Sequence, residues 1–167
     1  WVELLKSLLG NRLAGVIHTI NNDYGDRVDP LNGESHLLFG NPSIHENILG
    51  LDFEISMKSF FQTNPKSAER LYSKAIEYVQ KANGAGTILD LFCGTGTITQ
   101  LLSKQGFSNV VGVDIEEKAI FNARDNAKKN DIPNVTFHAA DVGKFLIEFP
   151  QYQGNLDVIM MDPPRGG

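Results

Sequence analysis

One stretch limits the fold more than any other: TILDLFCGTGTITQLL, Thr87 to Leu102. Thr87-Ile88-Leu89 is a branched, apolar run that leads to Asp90. Leu91-Phe92-Cys93 then gives way to Gly94-Thr95-Gly96, and a new apolar periodicity begins at Ile98. This reads as a buried strand, a glycine turn and a helix start. Two close glycines let the backbone turn sharply and approach a ligand that a side chain would exclude. The helix start beyond them offers unpaired N–H groups. Such a strand–turn–helix unit forms the ligand crevice of a doubly wound α/β sheet, at the carboxyl end of its first strand.

The rest of the chain fits that sheet. From Ser67 the apolar positions Ala68, Leu71, Tyr72, Ala75, Ile76 and Val79 share one helical face, and Gly84 to Gly86 end the helix. The strand at 87–92 is followed by a helix over 97–105, stopped by Gly106. Val110 to Asp114 is a second strand. Glu116 to Asn130 is a helix with glutamates in its first turn and lysines in its last, as the helix dipole favours. Ile132-Pro133 breaks it. Val135 to Ala139 is a third strand, followed by Asp141 and a short helix over 142–149. Leu156 to Met161 is a fourth strand, running into Asp162-Pro163-Pro164. Strand–helix alternation at this spacing predicts a parallel sheet with right-handed crossovers, in the order 3-2-1-4. The fourth strand would be an exposed edge.

Residues 1–62 have another character. Trp1 to Leu9 carries helical spacing, ended by Gly10. Residues 13–20 and Ser35 to Phe39 read as strands, with a turn or loop at Asn21-Asn22-Asp23 and Gly25, and Asn32-Gly33 as a hairpin signal. Residues 43–57 alternate loosely, with Leu49-Gly50 as a bulge or turn. The expected division is a small antiparallel region over 1–62 and an α/β domain over 63–167.

Composition narrows the class. At 167 residues, 41% hydrophobic and 21% charged, the chain is globular rather than disordered. No apolar run approaches a membrane span and the start does not read as a signal peptide, so the cytoplasm is expected. Cys93 is the single cysteine, too few for an internal disulfide or a cysteine-rich metal site. His18, His36, His45 and His138 show no metal spacing. The net charge of −5 argues against a surface that grips nucleic acid throughout, but leaves room for a local basic face. Lys58, Lys66, Arg70 and Lys74 are candidates for touching phosphate, or for an ordinary solvated helix face. Trp1 and Gly167 both read as cut ends.

Four features fall at carboxyl ends of successive strands: Asp90 with Gly94 and Gly96, then Asp114, Asp141 and Asp162-Pro163-Pro164. One Asp after a strand is usually a helix cap or turn former. Four along one sheet edge suggest a ligand site. A dinucleotide fingerprint would place a third glycine where Thr99 stands. An acidic residue such as Asp114 can hold ribose hydroxyls of NAD or of S-adenosylmethionine. The missing glycine and the Asp-Pro-Pro turn favour a methyltransferase sheet over an NAD-linked oxidoreductase. In that reading Asp114 takes the ribose, Asp141 lies near the adenine or merely caps the next helix, and the glycine turn approaches the methionine end. Proline rigidity would let Asp162 and nearby carbonyls face a planar base. Arg165 follows the prolines where enzymes that methylate exocyclic amines usually carry an aromatic.

SFFQTNP at 59–65, DLFCGTGTI at 90–98, GVDI at 112–115 and DPPRGG at 162–167 together resemble the motif set of the RNA uracil-5 methyltransferases. The resemblance runs best from Ser59 to Gly167, and residues 13–58 are similar to the small domain that precedes it. It implies a class I, Rossmann-like fold, S-adenosyl-L-methionine as cofactor, and a tRNA or rRNA substrate. It implies that Gln62, Phe92, Thr97, Asp114 and Asp162 bind cofactor, with Gln62 and Asp162 also beside the target base; Asp90, Gly94, Gly96, Ile115 and Asp141 complete the expected cofactor site. Read from the residues alone, Gln62 equally fits a solvated helix cap, Thr97 an early helix position, and at least one of Phe60 and Phe61 the core. Asp114 stands where many relatives carry the longer glutamate. In the family the nucleophilic cysteine and a glutamate base follow the DPPR segment, so neither is expected within this chain, and Cys93 is expected as a small residue beside the turn. The chain alone is then expected to bind cofactor without methylating RNA. Other readings are a base-amine methyltransferase and a non-catalytic cofactor- or RNA-binding module.

Overall fold

The computed structural model describes residues 1–21, 34–56, 59–82 and 86–163. Asn22 to Gly33, Met57, Lys58, Gly84 and the Pro164-Arg165-Gly166-Gly167 tail, on which some expectations rest, lie outside the described residues. The chain divides into two compact units, Trp1–His45 with Glu54–Ser59, and Glu46–Phe53 with Phe60–Gly167.

In the first unit, helix α1 (Val2–Leu9) ends at Gly10 and passes into a 3-10 turn, Gly10–Arg12. Strand β1 (Gly15–Ile20) pairs antiparallel with β2 (Glu34–Gly40), with His18 opposite His36. Both expected strands are present, with ends shifted by one or two residues. Strands β3 (Ser43–Ile48) and β4 (Leu51–Ser56) form a hairpin that spans both units. Its turn is Leu49-Gly50, at φ +50° and +76°, the paired left-handed geometry that suits two-residue hairpins. Along β4, Leu51, Phe53 and Ile55 are buried while Asp52 is exposed, the strand alternation expected of a half-buried hairpin.

The second unit is the α/β domain. Helix α2 (Pro65–Ala82) begins two positions before the expected Ser67. Asn64 Oδ1 accepts the Ser67 N–H at 3.1 Å, and Pro65 occupies the first turn, where its missing N–H costs nothing. Strand β5 (Thr87–Leu91) is buried at every position. It is followed by α3 (Thr97–Lys104), β6 (Val110–Asp114), α4 (Glu117–Lys129), β7 (Val135–Ala139), α5 (Phe145–Glu148) and β8 (Leu156–Met161). The sheet order is β7-β6-β5-β8, all parallel, as the alternation predicted. Leu89, Leu91, Val111 and Val113 face Phe145 on one side of the sheet. Phe137 packs with Ile120, Ala123 and Ala127 of α4.

Two local expectations are corrected. The first strand stops at Leu91, because Phe92 turns to φ +65°. The short helix is Phe145–Glu148 rather than 142–149; Val142 to Lys144 form a turn closed by the Lys144 N–H on the Asp141 carbonyl at 3.1 Å. A 3-10 segment, Pro150–Asn155, then leads into β8.

Side chains from three helices grip the hairpin tip. Glu69 of α2 accepts the Leu49 N–H at 3.0 Å. Lys104 of α3 donates to the Leu49 and Gly50 carbonyls, both at 2.8 Å. Asn130, at the end of α4, accepts the Asp52 N–H at 2.8 Å and donates to its carbonyl at 2.9 Å. Backbone groups beyond the reach of strand pairing are satisfied in this way. No helix among the described residues is long and apolar enough to cross a membrane.

Candidate functional site

The carboxyl end of β5 winds through left-handed backbone, with Phe92 at φ +65°, Gly94 at +54° and Gly96 at +75°. Left-handed geometry is costly for Phe92, a residue with a bulky side chain, and such strain collects at functional sites. The two glycines differ in purpose. A Cβ on Gly94 would meet nothing within 4 Å. One on Gly96 would lie 2.7 Å from the Phe137 ring and 3.0 Å from Ala123 Cβ. Gly94 therefore leaves room in front of the turn, whereas Gly96 lets α3 close onto its neighbours. Gly112, which carried no role in the sequence reading beyond its motif, also lies 2.7 Å from Phe137 by the same measure. Helix α3 starts at Gly96 with no side-chain cap, so the dipole-positive end of the helix is open.

Asp114 is built into the turn. Its Oδ2 accepts the Gly94 N–H at 2.9 Å and its Oδ1 the Glu116 N–H at 3.0 Å. The carboxylate end of β6 is thus tied to the loop after β5, and each oxygen keeps a further lone pair. Ile115, next to it, is 65% exposed, an apolar plate at the sheet edge. Asp141 follows β7, the neighbouring strand, and its Oδ1 accepts the Lys144 N–H at 3.2 Å. Asp141 does not cap the next helix, whose N-cap is Lys144 without a side-chain bond; it closes the turn before that helix, and its side chain is exposed.

Asp90 is almost wholly buried and accepts the Thr99 hydroxyl at 2.5 Å. Burial raises its pKa to about 7; the Thr99 hydrogen bonds pull it back, and the Asp162 and Asp114 charges push it further up. Thr99, the residue in place of a third glycine, therefore holds the floor of the site.

A cleft brings together six of the ten expected residues: Gln62, Asp90, Phe92, Gly94, Thr97 and Asp162. Gln62 comes from the segment before α2, and Asp162 from the end of β8. Gly96, Asp114, Ile115 and Asp141 lie outside this cleft, three of them on the adjoining strand ends. Of the two phenylalanines, Phe61 packs at 6.1 Å from the Phe53 ring while Phe60 is 78% exposed at the mouth. Tyr72, read in the sequence only as part of an apolar helix face, also lines the cleft. Its periodic position gave no sign of this.

Cys93 packs against the Ile120, Ala123, Ala127 and Phe137 cluster. Burial raises its thiol pKa strongly, and the carboxylates of Asp90 and Asp114 raise it further. A thiol so placed stays protonated and is a poor nucleophile. His138 accepts or donates at 3.0 Å to the Tyr152 hydroxyl within an aromatic cluster, and burial, then Arg124, lowers its pKa. On the exposed side of α2, Lys74 pairs with Glu77 at 2.7 Å, while Lys66 and Arg70 make no ion pair among the described residues.

Residues 82–163 match the family described as a methyltransferase domain. An RNA methyltransferase of uncharacterised activity from Clostridium acetobutylicum is 44% identical over 99% of this chain. One from Clostridium tetani is 42% identical over 100% of it. The chain spans 35% of the length of each. Among solved structures, the Pyrococcus abyssi tRNA (uracil-54, C5)-methyltransferase in complex with S-adenosyl-L-homocysteine superposes with a TM-score of 0.66 at 33% identity. That match covers 88% of this chain and 34% of that one. A SAM-dependent methyltransferase from Agrobacterium tumefaciens, at TM-score 0.61 and 21% identity, shares the fold. Sheet order, glycine turn and strand-end carboxylates thus define a class I methyltransferase domain. The chain belongs to the S-adenosylmethionine-dependent RNA methyltransferases and is homologous to the Pyrococcus abyssi tRNA (uracil-54, C5)-methyltransferase.

Proposed function

We propose that this protein transfers a methyl group from S-adenosylmethionine to carbon-5 of a uridine in tRNA or rRNA, in the cytoplasm. One observation carries the reading: Gln62, the Gly94 turn and Asp162 line a single cleft. The residues fit the cofactor. Gly94 leaves space for it, Asp114 keeps lone pairs for ribose hydroxyls beside the apolar face of Ile115, and Asp90 and Asp162 supply negative charge for a cationic ligand. Bound there, S-adenosylmethionine supplies an electrophilic methyl on a sulfonium. Phe92 and Thr97 shape the wall, Gly96 sets the approach of α3, and Asp141 borders the adenine end. We assign cofactor binding to residues 63–167 together with Gln62, and leave residues 1–62 as the small preceding region.

Carbon-5 of uracil is a weak nucleophile. Addition of a thiolate to carbon-6 activates it, and a general base later removes the carbon-5 proton so that the thiolate can leave. Cys93 is the only cysteine in these residues, and its buried thiol lies beside two carboxylates, so it does not suit that step. The thiolate and the base then come from other residues of the protein, and these 167 residues alone bind cofactor without methylating RNA. Gln62 and Asp162 hold the target base. Lys66 and Arg70 are the cations offered to RNA phosphates.

Two measurements test this. Calorimetry should detect S-adenosylhomocysteine binding to the intact protein; no binding would refute the cofactor assignment. RNA labelled with tritium at carbon-5 of uridine should lose label to water during methylation, with Cys93→Ser retaining most of the rate. Loss of all turnover in Cys93→Ser, with cofactor binding kept, would make Cys93 the nucleophile.

A further inference from the structure

Tyr72 is 6% exposed on α2, but its hydroxyl has no hydrogen-bond partner among the described residues. Buried tyrosine hydroxyls normally find one. The oxygen is not sealed in either: among the described residues, Gln100 Nε2 is the enclosed side-chain atom without a partner. Tyr72 lines the same cleft as Asp90 and Asp162. Burial, then the charges of Asp162 and Asp90, raise its pKa to about 12, so the phenol is neutral at physiological pH.

The charge pattern says what such a hydroxyl faces. Among the described residues lining the cleft there are two carboxylates and no lysine or arginine. An anion placed beside Asp90 and Asp162 would be repelled. A cationic group carrying N–H donors would be attracted, and it could donate to the phenol oxygen as well as to carboxylate oxygens. A sulfonium has no N–H to donate, whereas an amino-acid ammonium has three.

We propose that Tyr72 is a further cofactor-binding residue, its hydroxyl accepting a hydrogen bond from the ammonium of the cofactor's amino-acid end, between Asp90 and Asp162. The inference rests on the cofactor reading above and adds a residue to it.

The test uses Tyr72→Phe in the intact protein, which keeps the ring that packs in α2 and removes only the oxygen. Two probes are titrated by calorimetry: S-adenosylhomocysteine, which carries the ammonium, and 5′-methylthioadenosine, which lacks the whole amino-acid end. The expected result is a loss of about tenfold in affinity for S-adenosylhomocysteine, the worth of one hydrogen bond. Affinity for 5′-methylthioadenosine should not change. Unchanged binding of S-adenosylhomocysteine would overturn the assignment, and so would an equal loss for both probes. Failure of the unsubstituted protein to bind S-adenosylhomocysteine would instead strike the cofactor reading itself.

Discussion

The Asp114 carboxylate accepts the Gly94 N–H at 2.9 Å, joining the end of β6 to the turn after β5. The same carboxylate accepts the Glu116 N–H at 3.0 Å. It therefore shapes the glycine turn before any ligand arrives. Asp114→Asn would present an NH2 group to one of these two N–H donors and leave it unpaired. We expect S-adenosylhomocysteine affinity to fall about tenfold or more, and unfolding stability by about 1–3 kcal/mol. Calorimetry and urea unfolding check the two effects separately.

Gly94 and Gly96 should respond differently to alanine. Both have positive φ, which costs an alanine about 1–2 kcal/mol. Gly96→Ala also drives a methyl 2.7 Å from the Phe137 ring and should cost about 1–3 kcal/mol more. Gly94→Ala adds no clash and should lose cofactor affinity out of proportion to its stability loss. Equal stability losses for the two variants would contradict this division of labour.

Asp90 sets a pH signature. Its folded pKa, raised to about 7 by burial, lies above its unfolded value, so the folded state holds the extra proton across that interval. Its contribution to stability is complete below the unfolded pKa and is lost as pH rises through about 7. Asp90→Asn removes this titration. Urea unfolding from pH 4.5 to 7.5 should show wild-type stability declining relative to the variant, by at most about 1.4 kcal/mol per pH unit. Parallel curves would show that Asp90 titrates normally.

Lys66 and Arg70 should contribute to RNA binding through charge alone. The double variant Lys66→Ala, Arg70→Ala should lower RNA affinity and reduce the log–log salt slope by roughly 1.4, the value for two single-strand phosphate contacts. Cofactor affinity should be unchanged. A salt slope equal to that of the unsubstituted protein would place the RNA elsewhere.

Much of this was readable from residues alone. Val110 to Val113 is an unbroken apolar-type run, and Thr87 to Leu91 is one interrupted by the acidic Asp90, because the sheet buries both of their faces, so strand identity and the 3-2-1-4 order follow from pattern. What periodicity does not encode is which atoms long-range contacts engage. Gly94 and Gly96 look alike in sequence, yet only the packing of Phe137 separates them. Tyr72 has the spacing of a core residue, and its open hydroxyl depends on where β5 and β8 end. The grip of Asn130 on Asp52 bridges 78 positions, and nothing local announces it. The turn at Val142 to Lys144 replaced helix because Asp141 offers the Lys144 N–H both its carbonyl and its carboxylate.

The most direct test is the chemical identity of the product. The intact protein, S-adenosylmethionine and an RNA transcript would be incubated, the RNA digested to nucleosides, and the methylated nucleoside identified by mass spectrometry against standards. The prediction is 5-methyluridine, formed only when the cofactor is present. A methyl group on an exocyclic amine, or on any atom other than carbon-5 of uridine, would contradict it.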